Sequence, residues 1–210
     1  MAWPAVAGTL PAPGPLAPPL GPPVGPPVGP PGRAAEDQER LFRQVFGRLA
    51  AGVTVVTTMS ADGPSGLTAT AVCSVSLDPL LVLACIHNGS RTLAALEQAD
   101  AFAVNILRDH QADVATAFAA PVPEPVRFAA APYRLHYGVP VLDDALAWVT
   151  CGVAETYPGG DHTIVLGAVT GLSLSAGEPL VRESGRYRQL QPAVRPLRPV
   201  PGSVPGSVPE

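Results

Sequence analysis

The residues whose types could best support ligand binding or catalysis lie between positions 66 and 92, in the stretch GLTATAVCSVSLDPLLVLACIHNGSRT. Four small hydroxylated side chains, Thr68, Thr70, Ser74 and Ser76, lie on its two candidate strands and are interleaved with alanine and valine. Small side chains let a ligand approach the backbone, where amides and hydroxyls can bond nitrogen and oxygen atoms on the edge of a planar ring. Threonine and valine are also good strand formers, so this pattern alone favours an ordinary strand.

The last part of the stretch, HNGSRT, indicates a strand end followed by the start of a helix. Backbone amides and the side chains of Asn88, Ser90 and Thr92 could converge there on a phosphate, and Arg91 could add positive charge. Ser90 could equally serve only as the N-cap of the helix. The residues themselves leave both interpretations open.

Other chemistries are disfavoured by spacing. The histidines share no metal-ligand spacing, so no metal site is predicted from His87, His110, His136 and His162. Asp143 and Asp144 are adjacent, and neighbouring side chains of an extended chain point to opposite faces. A hydrolase site that depends on paired carboxylates is therefore not expected.

Composition narrows the function classes further. The formal net charge is -4 and the isoelectric point about 5.5, so nucleic acid is not an expected partner. All 13 basic residues are arginine. Without lysine, neither a Schiff-base enzyme nor a P-loop is possible, and a cofactor must be held by amides, hydroxyls, asparagine or arginine.

The cysteines and the hydropathy pattern favour a cytoplasmic protein. Cys73, Cys85 and Cys151 are odd in number and lie in apolar stretches, which is typical of buried thiols in a reducing compartment rather than of disulfides, zinc ligands or a catalytic thiol. The start of the chain has no basic segment of the signal-peptide type. No run approaches the roughly 20 apolar residues of a membrane span, so no membrane partner is expected.

The elements that must position these residues occupy the middle of the chain. Residues 1–35 and 191–210 are rich in proline and glycine and are predicted to be disordered tails, which leaves 36–190 as the folded domain. The segment EDQERLFRQVFGRLA places Leu41, Phe42, Val45, Phe46 and Leu49 on one side of a packing helix.

Apolar and β-branched runs predict about seven strands, with short helices inserted at SRTLAALEQA and DVATAFA. GVTVVTTM, SGLTATAVCSVSL and PLLVLACI are predicted as three successive strands, followed by AFAVNIL, ALAWVTCGVAETYP and HTIVLGAVTGLSL. This order favours a mainly β protein built as an antiparallel barrel. No G-x-G-x-x-G motif follows a strand, so a Rossmann nucleotide site is disfavoured.

In this order the segments resemble the short-chain flavin reductases that serve two-component flavin-dependent monooxygenases and have the FMN-binding split-barrel fold. The resemblance spans about 39–190 and is carried by FRQVFGRLAAGVTVVTT, GLTATAVCSVSLDPLLVLACI, HNGSRT, FAVNIL, GDHTIVLGAV and RYRQL. It implies an antiparallel split β-barrel.

The resemblance also implies roles for individual residues. Those expected to contact the flavin ring are Thr68, Ala69, Thr70, Ala71, Ser74, Val75 and Cys85. The expected ribityl-phosphate contacts are Asn88, Ser90 and Thr92, with Arg91 adding charge and Asn105 bordering the pocket. His162 matches the position near the nicotinamide, and Arg186 and Tyr187 are further candidates for that role. A histidine that merely ends a turn remains the alternative for His162.

The implied function is an NAD(P)H:flavin oxidoreductase, with FMN or FAD as the acceptor and NADH or NADPH as the hydride donor. It would act as a homodimer and supply reduced flavin to a partner monooxygenase. Two alternatives are a split-barrel flavoprotein that holds FMN tightly and acts on an organic substrate, and a non-enzymatic flavin- or haem-type binding module.

Overall fold

A computed structural model describes residues 33–191, with side chains described from residue 36. The segments 1–32 and 192–210, which contain most of the two predicted tails, lie outside the described residues. The chain divides into two units between Phe42 and Arg43. Every strand of the described chain lies in the second unit.

The described chain is mainly β, with a few helices inserted between strands. Its helices are α1 (Arg33–Gly47), α2 (Arg91–Ala99), α3 (Ala112–Ala119) and α4 (Glu124–Ala129). Its first strands are β1 (Ala51–Gly52), β2 (Thr54–Ser60), β3 (Gly63–Ala69), β4 (Val72–Leu77), β5 (Leu80–His87) and β6 (Ala101–Ile106). The later strands are β7 (Tyr133–His136), β8 (Val139–Leu142), β9 (Ala147–Gly159), β10 (His162–Leu174), β11 (Val181–Glu183) and β12 (Arg186–Arg188).

A seven-stranded antiparallel sheet dominates the fold, with the strand order β3-β2-β6-β9-β10-β5-β4. Its outer strands β3 and β4 are consecutive in the chain, and only Thr70 and Ala71 connect them. A link this short reaches about 10 Å at most, so the sheet must curl until its two edges lie close together. Because β3 and β4 are not neighbours in the sheet order, the barrel stays split along that line.

At strand β2 the sheet buries apolar side chains on both of its faces. Val53 and Val55 belong to one buried apolar cluster, with Leu107, Phe118 and Leu180. A second cluster contains Val56, Ile86, Leu96, Phe102 and Val165. Strand β2 contributes Val55 and Val56 to different clusters, and full burial of one such side chain stabilises the fold by about 1.5–3 kcal/mol.

Two smaller sheets complete the chain: β1, β11 and β12 form a three-stranded sheet, and β7 pairs with β8. Helix α1 and the residues just after it carry apolar side chains that are more than half exposed in the single chain: Leu41, Phe42, Val45 and Phe46 in the helix, and Leu49 beyond its end. Among the described helices, none is long and apolar enough to cross a membrane.

The predicted fold class, mainly antiparallel β with inserted helices, is confirmed. One predicted strand differs, because the run SGLTATAVCSVSL forms two strands, β3 and β4, that break at Thr70 and Ala71. The residues on both sides have strand propensity, but the chain must leave one edge of the sheet and join the other at this point. The break therefore follows from closure of the barrel and not from local propensity.

Candidate functional site

A cavity of about 850 Å³ opens at the split of the barrel. One wall is the end of β3 with the link to β4, residues 67–71, together with Cys85 of β5. A second wall is formed by residues 118–123, from the end of α3 to the residue before α4. The lining is completed by His87, Gly89, Ser90, Arg91, Arg127 and His162.

A hydrogen bond to α3 holds the end of β3, and a hydrogen bond from β5 holds the link between β3 and β4. The Thr68 hydroxyl donates to the Ala115 carbonyl of α3 at 2.6 Å. The Cys85 amide donates to the Ala71 carbonyl at 2.9 Å. Small side chains at Ala69, Thr70 and Ala71 leave the backbone of this wall accessible from the cavity.

Cys85 is a half-buried thiol at the cavity wall. Burial raises its pKa, and the nearby Cys73 thiol of strand β4 raises it further. A raised pKa keeps a thiol protonated and lowers its nucleophilicity. Cys85 therefore serves as a small apolar wall residue and not as a reactive thiolate.

Two arginines anchor the wall of residues 118–123. Arg127 donates from Nη1 to the Gly66 carbonyl at 2.6 Å and from Nη2 to the Ala120 carbonyl at 2.8 Å. Arg91 donates from Nη2 to the Val122 carbonyl at 2.6 Å. The wall is thus fixed to strand β3 from one side and to helix α2 from the other.

Apart from Cys85, the cavity lining has ionisable side chains that can carry only positive charge. Its ionisable side chains other than Cys85 are those of two arginines and two histidines, and neither Asp nor Glu lines the cavity within the described residues. Glu124 lies behind Arg127, at 3.2 Å, and 3.8 Å from Arg91. A cavity with this lining suits a ligand that carries anionic groups.

The two cavity histidines meet across paired strands. His162 of β10 and His87 of β5 are direct register partners, and their rings make an edge contact with centroids 5.4 Å apart. His162 Nδ1 lies 2.8 Å from Asp161 Oδ1. Its hydrogen bond holds the pKa of the Asp161 carboxyl below the usual range.

Asn88 fastens the strand end that carries His87 to the turn that precedes His162. Its side-chain amide donates to the Gly160 carbonyl at 3.1 Å, and its Oδ1 accepts from the Thr163 hydroxyl at 2.9 Å. Its backbone amide donates to the Asp161 carbonyl at 3.0 Å. Asn88 thereby positions the two histidines.

Ser90 is the N-cap of α2, and its hydroxyl accepts from the Thr92 amide at 3.1 Å. Thr92 is buried, and its hydroxyl lies 3.1 Å from the Ser65 hydroxyl. Ser90 therefore combines a capping role with a place in the cavity wall, whereas Thr92 faces the interior.

The cavity brings together eight of the residues predicted from the sequence: Thr68, Ala69, Thr70, Ala71, Cys85, Ser90, Arg91 and His162. The lining does not include seven others: Ser74, Val75, Asn88, Thr92, Asn105, Arg186 and Tyr187. Ser74 and Val75 are exposed on the edge strand β4. Arg186 and Tyr187 lie on β12 of the three-stranded sheet.

Asn105 is a structural residue in the interior of the barrel. Its side-chain amide donates to the Val55 carbonyl and to the Thr57 hydroxyl, each at 3.0 Å. Its Oδ1 accepts from the Leu142 amide at 2.9 Å. These bonds tie strand β8 to the main sheet and satisfy a fully buried amide.

Sequence reasoning missed Leu67, His87, Gly89, Arg127 and the 118–123 wall. The residue type of His87 makes it a possible ligand contact. Its place at the site depends on the pairing of β5 with β10, which brings it beside His162. Arg127 follows a proline-rich segment, PVPEPV, that predicts a loop, and no local signal connects it to β3. Within the described residues, no group of three or more His, Cys, Asp and Glu side chains could hold a metal ion.

Comparisons with known proteins identify relatives of this chain. The family model described as a flavin reductase like domain matches residues 46–191. A probable flavin reductase of Rhizobium meliloti is 42% identical over 150 residues, or 70% of this chain and 48% of that protein, so the chain spans about half its length. HsaB of Mycobacterium tuberculosis, the reductase subunit of a flavin-dependent monooxygenase, is 37% identical over 163 residues, covering 76% of this chain and 86% of HsaB.

A solved structure shows the same relationship in three dimensions. The NADH:FAD oxidoreductase SgcE6 of Streptomyces globisporus, in complex with NAD and FAD fragments, matches with a TM-score of 0.71 and 34% identity. The match covers 76% of this chain and 96% of SgcE6.

Proposed function

The chain belongs to the flavin reductase-like family, and from this premise we propose that it transfers a hydride from NADH or NADPH to FMN or FAD and releases the reduced flavin to a partner monooxygenase. It is an oxidoreductase that treats flavin as an exchangeable substrate. The observation that carries the proposal is the cavity at the barrel split, with its small-residue wall and basic lining.

The residues present fit a flavin. A volume of about 850 Å³ lies within the range of pockets for ligands of this size. The wall of residues 67–71 offers backbone groups and the Thr70 side chain to the polar edge of the ring. Arg91 and Ser90 lie at the N-terminus of α2, where a phosphate is favoured by the amides and the helix dipole.

Asn88 and Thr92 support this site from behind. The Asn88 side chain is hydrogen-bonded to Gly160 and Thr163, and the Thr92 hydroxyl is hydrogen-bonded to Ser65. We propose that they hold the phosphate-binding segment in shape rather than contact the phosphate. Asn105 acts in the same indirect way by fixing the barrel interior.

A bound flavin supplies the acceptor for the two electrons and the proton of a hydride. The protein's part is to hold the two rings face to face, which requires positioning and no side chain that breaks a bond. The small side chains of Ala69 and Ala71 leave room beside this wall, and His162 lines the same cavity. The basic lining stabilises the added negative charge.

The remaining parts of the proposal concern the assembly and the compartment. HsaB is the reductase subunit of a monooxygenase, and an open cavity suits flavin transfer to such a partner. We propose a homodimer, supported by the more than half-exposed apolar side chains of Val45 and Leu49. A cytoplasmic location is supported by three free cysteines and by the need for reduced nicotinamide.

The test is turnover by the purified protein with each pair of NADH or NADPH and FMN or FAD, followed at the nicotinamide absorbance near 340 nm. We expect flavin-dependent oxidation of at least one donor, well above the rate without enzyme. No rate above that control with any pair would refute the proposal. Protein that purifies yellow and needs no added flavin would instead indicate a tightly held FMN, and flavin binding without turnover would indicate a binding module.

A further inference from the structure

Glu124 links the two arginines of the cavity from just behind the lining. Its Oε1 lies 3.2 Å from Arg127 Nη1 and 3.8 Å from Arg91 Nη2. Its Oε2 accepts from the Gly66 amide at 3.3 Å, which fixes the carboxylate to the edge strand β3. One carboxylate therefore faces two guanidinium groups, and the three side chains together carry a single net positive charge.

Arg127 is committed to protein groups. Its side chain is only 11% exposed, and its Nη1 and Nη2 donate to the carbonyls of Gly66 and Ala120. Its Nε is buried and has no hydrogen-bond partner among the described residues. Turning this guanidinium toward a ligand would break both bonds to backbone carbonyls and leave buried acceptors unpaired. Arg127 therefore acts as the fixed partner of Glu124.

Arg91 is the arginine that a ligand can reach. Its side chain is 59% exposed, against 18% for Glu124, and it is the first residue of α2, next to Ser90 in the cavity lining. Its Nη2 donates to the Val122 carbonyl at 2.6 Å. A guanidinium carries five N–H donors, so Arg91 can keep this bond and still donate to an anion. The charge that Arg91 offers to a ligand is the charge that Glu124 partly neutralises.

We propose that Glu124 competes with the phosphate of a bound flavin for Arg91, and thereby limits the affinity for flavins that carry a phosphate. This rests on the proposed function, in which Arg91 and Ser90 face that phosphate. An ion pair that already exists in the free protein must be weakened before its guanidinium binds another anion, so only the difference adds to affinity. Glu124 acts through Arg91 and is a positioning residue.

This competition fits an enzyme that must release its flavin. A cavity with uncompensated arginines would hold a phosphate tightly and slow the transfer of flavin to a partner. Removing the arginine would instead weaken both capture and retention. A carboxylate fixed behind Arg91 keeps the cation in place and lowers its pull on the phosphate.

The test compares FMN with riboflavin, which have the same ring and ribityl chain and differ in the phosphate. The Kd of each flavin for the full chain is measured by fluorescence quenching, and the quantity compared is the ratio of the riboflavin Kd to the FMN Kd. Glu124→Gln keeps the shape and one oxygen acceptor but removes the charge. We expect it to raise the ratio about fivefold, the upper end for a partly exposed ion pair, and to change the riboflavin Kd less than about twofold.

Three matched variants separate this role from a structural one. Glu97→Gln removes the same charge from the exposed side of α2 and should leave the ratio within about twofold of the wild type. Glu124→Asp keeps the charge and should also keep the wild-type ratio. In an Arg91→Gln background, Glu124→Gln should change the ratio by less than about twofold, because the competition acts through Arg91. In about 1 M salt, the ratios of the wild type and Glu124→Gln should converge.

The outcomes distinguish this role from the reductase function. If the wild type binds and reduces flavin but Glu124→Gln leaves the ratio unchanged or lowers it, the competition is refuted and the reductase function stands. If the ratio rises as expected but the wild type oxidises no reduced nicotinamide with any flavin, the reductase function fails and the competition stands. Equal weakening of both flavins in Glu124→Gln would show a structural role alone, and an undiminished rise without Arg91 would also refute the competition.

Discussion

Gly66 is the position where one added methyl group should change both stability and the cavity. It lies on β3, opposite Thr57 of β2. A Cβ built there would lie 2.8 Å from Phe118 Cε1, 3.1 Å from Phe118 Cδ1 and 3.2 Å from Thr57 Cγ2. Phe118 is fully buried and lines the cavity, so Gly66→Ala pushes directly on the cavity wall.

The Phe118 ring has little space to move away from the added methyl group. The ring makes an edge contact with Phe128 at a centroid distance of 5.1 Å, and Phe128 contacts Tyr133 in the same way at 5.1 Å. Restoring ordinary contact requires a shift of about 0.6 Å, and overpacking of this kind costs about 1–3 kcal/mol. The lower backbone entropy of alanine in the unfolded chain offsets about 0.4–1 kcal/mol. The net loss is about 1–2 kcal/mol, or about 3–6 °C in Tm for a domain of this size.

Thermal unfolding and FMN titration of Gly66→Ala measure the two effects. The matched control is Gly52→Ala on β1, where no heavy atom of the described residues beyond Gly52 and its chain neighbours lies within 4 Å of the added methyl group. It should leave Tm unchanged or raise it slightly. Phe118→Leu should be less harmful in the Gly66→Ala background than alone, because the two side chains share one space. Equal Tm values for Gly66→Ala and Gly52→Ala, with equal FMN affinity, would refute the packing argument.

Two further predictions concern Asn88 and the thiols. Asn88→Ala should raise KM for the reduced nicotinamide about three- to tenfold with a small change in Tm, because the substitution releases the turn before His162. An unchanged KM in steady-state assays would contradict this. Burial raises the pKa of Cys151 from 9.0 to about 12, so the folded protein keeps a proton that the unfolded chain loses, and this contribution to stability decreases as the pH rises from 9 towards 12. Cys151→Ala should therefore make the decrease in Tm at alkaline pH shallower. In the wild type, a thiol reagent at pH 8 should modify the exposed Cys73 first and Cys151 only after unfolding. Rapid modification of Cys151 in the folded protein would refute the burial argument.

The strands that sequence predicts well are those whose pattern is long and local. ALAWVTCGVAETYP and HTIVLGAVTGLSL correspond closely to β9 (Ala147–Gly159) and β10 (His162–Leu174), with the Gly160 and Asp161 turn between them. The β7–β8 hairpin was missed, although it carried a signal. Tyr137 and Gly138 both have positive φ, at 50° and 82°, which is the two-residue turn that favours glycine in its second position.

The site was predictable where it is continuous in sequence and not where distant segments meet. Residues 67–71 and 89–91 line the cavity within one stretch of chain, and their small or hydroxylated side chains were a usable signal. Asn88, Thr92 and Asn105 have the polar side chains expected of ligand contacts, but their hydrogen bonds go to protein groups. Residue type cannot distinguish an amide that binds a ligand from one that satisfies a buried strand, because both tasks need the same donors and acceptors.

The position of the cavity follows from how the sheet closes. If β3 and β4 were hydrogen-bonded, the barrel would close and the groups of residues 67–71 would be used in the ladder. Because the two strands are consecutive but unpaired, the backbone between them is available to a ligand while both flanking strands remain rigid. The same topology brings β5 beside β10 and so places His87 against His162 at the rim. A planar ring held at the split would therefore be positioned by the unpaired seam between β3 and β4, while the histidine pair is positioned by the pairing of β5 with β10.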